Sequence, residues 1–147
     1  MASVKQLLAK KGGDIYTIGP EATVFEALGI LAAKNIGAVP VVQGDKLVGI
    51  FSERDYARKV ILAGKSSRET KIKDLMTAKV FCVAPDDSVD GCMLLMRDKH
   101  IRHLPVLQDG KLIGILTMRD IVNVLIKEKE NTIKDLQTYI SGGYLTN

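Results

Sequence analysis

The chain has no tryptophan, only 5% aromatic residues and four prolines in 147 positions. Its core must therefore be built from Val, Ile, Leu, Met and Ala, and it offers no aromatic platform on which single-stranded nucleic acid could stack. Only two cysteines occur, Cys82 and Cys92, and neither sits in a C-x-x-C pair, so no disulfide scaffold or redox motif is indicated. Taken with His100 and His103 they match no common zinc spacing, and no metal site is expected. No run approaches the ~18 apolar residues that span a bilayer. The stretch from Met1 to Gly13 lacks the apolar run and cleavage signal of a secretory leader, so a reducing cytoplasm is the expected setting and no membrane partner is. The net charge of +4 comes from scattered residues, with no Lys/Arg block of the kind that binds nucleic acid. A mild basic excess still suits a small anionic ligand. No Ser-His-Asp set, phosphate-gripping Gly loop or acid pair with a general base stands out, so no catalytic residues are assigned and no enzyme is expected.

What is present is an ordinary globular composition, 46% hydrophobic and 26% charged, and a repeat. Sliding the chain by about 65 positions aligns Ile15–Ile61 with Val80–Ile126 without a gap, and about 14 of the 47 pairs are identical. Pro20 falls on Pro85, Pro40-Val41 on Pro105-Val106, Gly49-Ile50 on Gly114-Ile115, and Arg54-Asp55 on Arg119-Asp120. Each copy reads as β-α-β-β-α. Tyr16-Thr17-Ile18 and Phe81-Cys82-Val83 predict short opening strands. Thr23 with Glu26 predicts a capping box ahead of a helix over Val24–Lys34, in which Val24, Leu28, Leu31 and Ala32 recur at helical spacing. Ser88 caps a second, more uniformly apolar helix through Val89, Met93, Leu94, Leu95 and Met96, which reads as a buried one, and Met93, Met96 and Cys92 are assigned to the core. Hairpins follow, turning at Gln43-Gly44-Asp45 and Gln108-Asp109-Gly110. Ser52 and Thr117 then open further helices as N-caps. Thr132–Ser141 predicts an added helix ending at Gly142-Gly143. One copy is too small to bury an adequate core, so the expectation is an α+β (mixed α/β) fold of two repeats packed with pseudo-twofold symmetry: residues 8–64, residues 73–130, and a C-terminal helix and tail over 131–147.

The paired segments Val39-Pro40-Val41 with Gly49-Ile50-Phe51-Ser52-Glu53-Arg54-Asp55, and Leu104-Pro105-Val106 with Gly114-Ile115-Leu116-Thr117-Met118-Arg119-Asp120, resemble the CBS (cystathionine-beta-synthase) domain. The resemblance covers nearly all of 15–126, and Asp74-Leu75-Met76-Thr77 is similar to the family's lead-in to a second repeat. It implies a stand-alone tandem pair, a Bateman module, that forms a homodimer and regulates a protein target the sequence does not reveal. It also implies adenine-nucleotide ligands (AMP, ATP, S-adenosylmethionine or NAD(H)-type) in two composite clefts, with no catalytic cofactor. The first cleft would set Thr17, Ile18, Ala38, Val39 and Pro40 against Thr117, Arg119 and Asp120. The second would set Cys82, Val83, Arg102, His103, Leu104 and Pro105 against Ser52, Arg54 and Asp55.

Residue chemistry agrees. An ionised carboxylate is acceptor-only and takes both protons of a ribose diol, which suits Asp55 and Asp120. A hydroxyl-capped helix N-terminus suits a phosphate, which Arg54 and Arg119 would also meet. The repeats diverge in charge at Gly37-Ala38 against Arg102-His103, so the clefts are expected to differ in ligand or affinity. With His103 titrating near 6.5, affinity in its cleft should rise as pH falls toward 6. The plainer alternative is a nucleotide-indifferent dimerisation or protein-interaction module that keeps the motif for folding alone.

Overall fold

A computed structural model describes residues 2–144 of the chain, and their side chains as far as residue 137. The order is α1 (Val4–Lys11), α2 (Val24–Lys34), β1 (Ala38–Gln43), β2 (Lys46–Ser52), α3 (Glu53–Asp55), α4 (Val89–Lys99), β3 (His103–Gln108), β4 (Lys111–Thr117) and α5 (Met118–Tyr144). This is the mixed α/β class, with two small sheets.

Each sheet is an antiparallel hairpin closed by two residues. In the first, Gly44 alone takes a positive φ, +63°. In the second, both Asp109 and Gly110 do, at +52° and +78°. Both arrangements match the right-handed twist of flanking strands, and Gly or Asp tolerates them where a bulkier residue would be strained. A bulge follows in both hairpins: Val41 pairs with Gly49 but Val42 with Leu47, and Val106 with Gly114 but Leu107 with Leu112. Val48 and Ile113 are thus the extra residues that bend the ladder. The expected opening strands shrink to single parallel bridges, Ile18 to Val41 and Val83 to Val106. Ile18 N–H donates to the Pro40 carbonyl at 3.1 Å and Val83 N–H to that of Pro105 at 3.0 Å. Two residues on stand Pro20 and Pro85, which have no N–H to continue a ladder.

The helices start where hydroxyls predict. Thr23 accepts from Glu26 N–H and Ser88 from Gly91 N–H. The Thr23 box is only half formed, because the Glu26 side chain does not return to the cap. α2 buries Val24, Ala27 and Leu31 and leaves Ala32 exposed, since positions 0, 3 and 7 share a face and 8 turns away. α4 buries Val89, Cys92 and Met96, with Met93 partly buried; the expectation of burial fails at Leu94, which is 44% exposed. Both helices stop on a left-handed residue, Asn35 and His100. In both, a terminal-turn lysine lies over an aromatic ring of the opening segment: Lys34 over Tyr16 at 4.9 Å and Lys99 over Phe81 at 5.1 Å.

The helices after the motifs differ. α3 passes into a π-helical stretch at Tyr56–Ile61, whereas α5 is one helix of 27 residues. The added helix expected at Thr132–Ser141 is therefore the end of α5, which continues through Gly142-Gly143 to Tyr144. A glycine lowers helix propensity but terminates a helix only where the backbone turns left-handed, and here it does not.

Two cores form. One gathers Ile18, Val24, Val39, Phe51 and Val60; the other gathers Val83, Val89, Met96, Leu104 and Leu116. Each is completed by a lead-in segment that precedes the other repeat in sequence. Val4 and Leu7 of α1 join the second core, while Ile72 and Leu75 join the first. The bonds are twins. Val4 N–H donates to Asp87 O and Lys5 N–H to Pro85 O, matching Ile72 N–H to Ala22 O and Lys73 N–H to Pro20 O. Leu8 packs on Gly114 as Met76 packs on Gly49. Glu21 accepts from both Lys71 and Lys73, and these bonds hold its carboxyl at about 2, well below the ordinary carboxylate value.

Candidate functional site

Each hairpin's second strand ends in a hydroxyl residue with extended backbone, and the chain then turns into a helix. In both copies that turn is a reciprocal capping box. Ser52 Oγ accepts from Asp55 N–H at 3.2 Å while Asp55 Oδ2 accepts from Ser52 N–H at 2.9 Å. Thr117 Oγ1 accepts from Asp120 N–H at 3.1 Å while Asp120 Oδ2 accepts from Thr117 N–H at 2.9 Å. The paired Asp residues thus stand at the third helical position and have a structural task. The first N–H of each helix is also engaged: Glu53 N–H donates to Gly37 O at 3.0 Å and Met118 N–H to Arg102 O at 2.9 Å. Among the described bonds, the donors left at each helix head are the N–H groups of Arg54 and Arg119, so the anion site is narrower than the motif implies.

Beyond this shared frame the carboxylates part company. Asp55 is buried; Oδ2 also accepts from the Ser52 hydroxyl at 3.1 Å, and Oδ1 meets Lys59 Nζ at 3.1 Å and Thr77 Oγ1 at 3.4 Å. All of these partners lie in its own repeat or in the lead-in that completes that core. The Asp120 side chain is 18% exposed against 12% for Asp55, and its Oδ2 takes Lys11 Nζ at 2.7 Å, a group 109 residues distant in sequence. The same ammonium donates to Ile115 O at 2.8 Å. Asp120 and Lys11 also border a groove of about 630 Å³ between α1 and α5.

The residues expected to line the clefts divide by burial. Ile18, Ala38, Val39, Pro40, Val83, Leu104 and Pro105 are buried, so apart from their backbone groups they belong to the core; Thr17 is exposed. Cys82 borders a cavity of about 250 Å³ with Lys46, Leu47, Val80 and Leu107, between the two hairpins. Burial pushes the Cys82 thiol above its ordinary value and the core Cys92 thiol up to about 11. Of the second expected set, Arg54 and His103 each reach the other repeat, but at residues outside the set. Arg54 Nη1 donates to His100 O at 2.8 Å, and the His103 ring lies over Gly37, where a Cβ would stand 3.4 Å from the imidazole. Gly37 is small where the ring needs space, which accounts for part of the divergence between the copies; Arg102 is exposed. Burial first, then the Lys11 and Arg102 charges, lower the His103 pKa below 6.5, against an opposing pull from Asp120. The proton expected near pH 6.5 therefore binds only at lower pH. In the first set, no described hydrogen bond or ion pair joins Thr17 or Pro40 to Asp120. Sequence reasoning missed Lys11, Lys59 and Thr77. A self-alignment shifted to about 68, which sets Val4 on Ile72, Leu7 on Leu75 and Leu8 on Met76, carries the signal for the lead-ins.

The CBS domain family matches twice, over residues 4–61 and 72–127. The chain belongs to the CBS-domain family. It is similar to the mitochondrial CBS domain-containing protein CBSX3 of Arabidopsis thaliana, 41% identical over 127 residues. The match covers 83% of this chain and 62% of that protein. An uncharacterised protein of Methanopyrus kandleri is 39% identical over 129 residues, 84% of this chain and 66% of that one. The chain thus spans less than two thirds of either relative. Among solved structures, the CBS domain protein NE2398 superimposes with a TM-score of 0.82 at 44% identity, covering 85% of this chain and 98% of that one. The CBS pair of protein MJ0100, solved with 5′-methylthioadenosine and S-adenosyl-L-methionine, gives a TM-score of 0.75 at 29% identity, over 87% and 98% of the chains. CBS pairs are regulatory modules that often bind adenosine-containing ligands. Among the described residues no His, Cys, Asp or Glu cluster could hold a metal, and no helix is long and apolar enough to cross a membrane.

Proposed function

We propose that this chain is a non-catalytic regulatory module of the cytoplasm that binds an adenine nucleotide of the AMP, ATP or NAD(H) type. The observation that carries the reading is the Asp120 carboxylate. Oδ2 is held by the Thr117 N–H and Lys11, while Oδ1 accepts no described bond. A partly exposed acceptor at a helix head can take the hydroxyls of a ribose, with the Arg119 N–H and guanidinium beside it for phosphate. The backbone of Thr17, which makes no described hydrogen bond, would receive the adenine edge beside the apolar surface of Ile18, Ala38, Val39 and Pro40. Asp55, with its oxygens engaged, makes the cleft of Cys82, Val83, Arg102, His103, Leu104 and Pro105 the weaker of the two. The adenosine compounds bound by the MJ0100 pair support the ligand class.

A thermal-shift panel of AMP, ATP, NAD, NADH and S-adenosylmethionine tests this. A specific ligand at a hundred times its dissociation constant adds ~2.7 kcal/mol of stability. Replacing Asp120 by Ala should weaken the best ligand about tenfold to a hundredfold, the loss of a charge-assisted hydrogen bond. Silence across the panel, or wild-type affinity in Asp120→Ala, overturns the reading.

A second reading, assembly through α5, is favoured by an apolar line on that helix. Val122, Ile126, Ile133 and Leu136 are 42%, 51%, 54% and 57% exposed. Their spacing is that of a coiled-coil seam. Ile140, which extends the spacing, lies outside the described side chains. The two readings are compatible. Sedimentation as a 16.0 kDa monomer at micromolar concentration would exclude this one.

A further inference from the structure

The reach of Lys11 from α1 to the second motif has no counterpart at the first among the described residues. Asp55 is neutralised by Lys59, four residues along, and among the described residues none of its bonds reaches outside the first core and its lead-in. Asp120 is neutralised by the last residue of α1, at 2.7 Å, the same ammonium also binding the β4 carbonyl of Ile115. This contact uses the carboxylate that a ribose diol would use. A diol is neutral and offers two ordinary hydrogen bonds, whereas the ammonium offers a charge-assisted one. A nucleoside alone therefore competes poorly, because the ammonium it displaces keeps only a carbonyl.

A phosphate changes that balance by giving the displaced charge a stronger partner. Space for it lies beside the contact. The α1–α5 groove is bordered by Lys10, Lys11 and Lys127 against Asp120 and Glu128, with the Asn123 amide among its walls. Three ammonium groups face two carboxylates there, so an anion entering the groove is met by a net positive field.

We propose that Lys11 is the specificity-determining residue of the Asp120 cleft, passing from Asp120 to the ligand's phosphate as the ribose takes the carboxylate. The inference rests on the nucleotide reading above and adds to it the selection of nucleoside phosphates over nucleosides. It also makes the seating of α1, whose Val4 and Leu7 lie in the second core, responsive to the ligand.

Calorimetric titration of the full chain with AMP and with adenosine tests it. The wild type should bind AMP at least tenfold more tightly than adenosine. Lys11→Met should lose most of that ratio, with AMP weakened about tenfold and adenosine unchanged or tightened as its competitor disappears. Lys11→Arg, which keeps the charge, should restore the preference. An unchanged ratio in Lys11→Met, or AMP and adenosine weakened in parallel, overturns the proposal while leaving nucleotide binding intact. Wild-type protein that binds neither compound removes the nucleotide reading, and this proposal with it.

Discussion

The two motifs are copies in sequence, yet one is closed on itself and the other is held by a distant part of the chain. Asp55 bonds Ser52, Lys59 and Thr77, all within one core and its lead-in. Asp120 bonds Thr117 nearby and then Lys11 across the chain. The first carboxylate behaves as a structural strut, and the second as a junction that competing partners can share. A duplicated motif therefore does not imply a duplicated role, because the role is set by which charge reaches the carboxylate.

The sharpest way to break this comparison is to remove the acids in turn and follow stability without ligand. Asp55→Ala should cost roughly 1.5–3 kcal/mol, since it leaves a capped helix start and a buried bond network without their acceptor. Asp120→Ala should cost about 1 kcal/mol, because it loses the same cap but only one further side-chain partner, the partly exposed Lys11, where Asp55 also holds the Ser52 and Thr77 hydroxyls. Urea denaturation of both variants reads the difference, and equal losses would erase the distinction.

The glycines under the lead-ins give a second, somewhat smaller contrast. A Cβ at Gly49 would stand 2.5 Å from Met76 Sδ and 3.0 Å from the Thr77 carbonyl, whereas one at Gly114 would meet only the Leu8 side chain, at 2.7 Å. A leucine end can rotate away. The Thr77 carbonyl cannot, because it accepts from Ile50 N–H at 3.0 Å. Gly49→Ala should destabilise by about 1–3 kcal/mol, with Gly114→Ala at the low end of that range or below it. Thermal midpoints that fall equally would place the two lead-ins on the same footing.

The smallest effect is one of pH. His103 is held below its free value of 6.5, chiefly by burial. The unfolded chain then binds the proton first, and stability rises with pH in the interval between the folded and unfolded values. The ring's contribution is complete above 6.5 and is lost as pH falls through the lower folded value. Wild-type protein should therefore lose thermal stability below pH 6.5 faster than His103→Gln does, while the first repeat, with Ala38 at that position, contributes no such dependence. Parallel profiles would count against burial of the imidazole.

Much of this was legible in the sequence. The repeat, hairpins, caps and helix starts follow from short-range rules, because a turn or an N-cap depends on residues within about four positions. The opening strands came out shorter than expected, since an extended pattern before a proline does not reveal how many rungs the neighbouring strand has free. The far end of α5 was misjudged because Gly142-Gly143 tolerates a stop without imposing one. Lys11 was not legible at all. Its partner lies 109 residues away, and α1 falls outside the gapless alignment of the repeats, so no local pattern marks it. The ring of His103 over Gly37 is equally non-local: the sequence revealed the asymmetry, and the packing gave it a cause.

The exchange of lead-ins has a consequence for the half-molecule. A polypeptide starting near Glu69 and ending with α5 would carry a strap, but by the pattern of the whole chain that strap belongs on a neighbour. Two such polypeptides would trade arms, each filling the other's core, as in a domain-swapped pair. Tethering both halves in one chain replaces that encounter with an intramolecular one at high effective concentration. The intact protein thus resembles a swapped dimer made covalent. Severing the link between Lys65 and Arg68 should turn a stability that ignores dilution into one that depends on it.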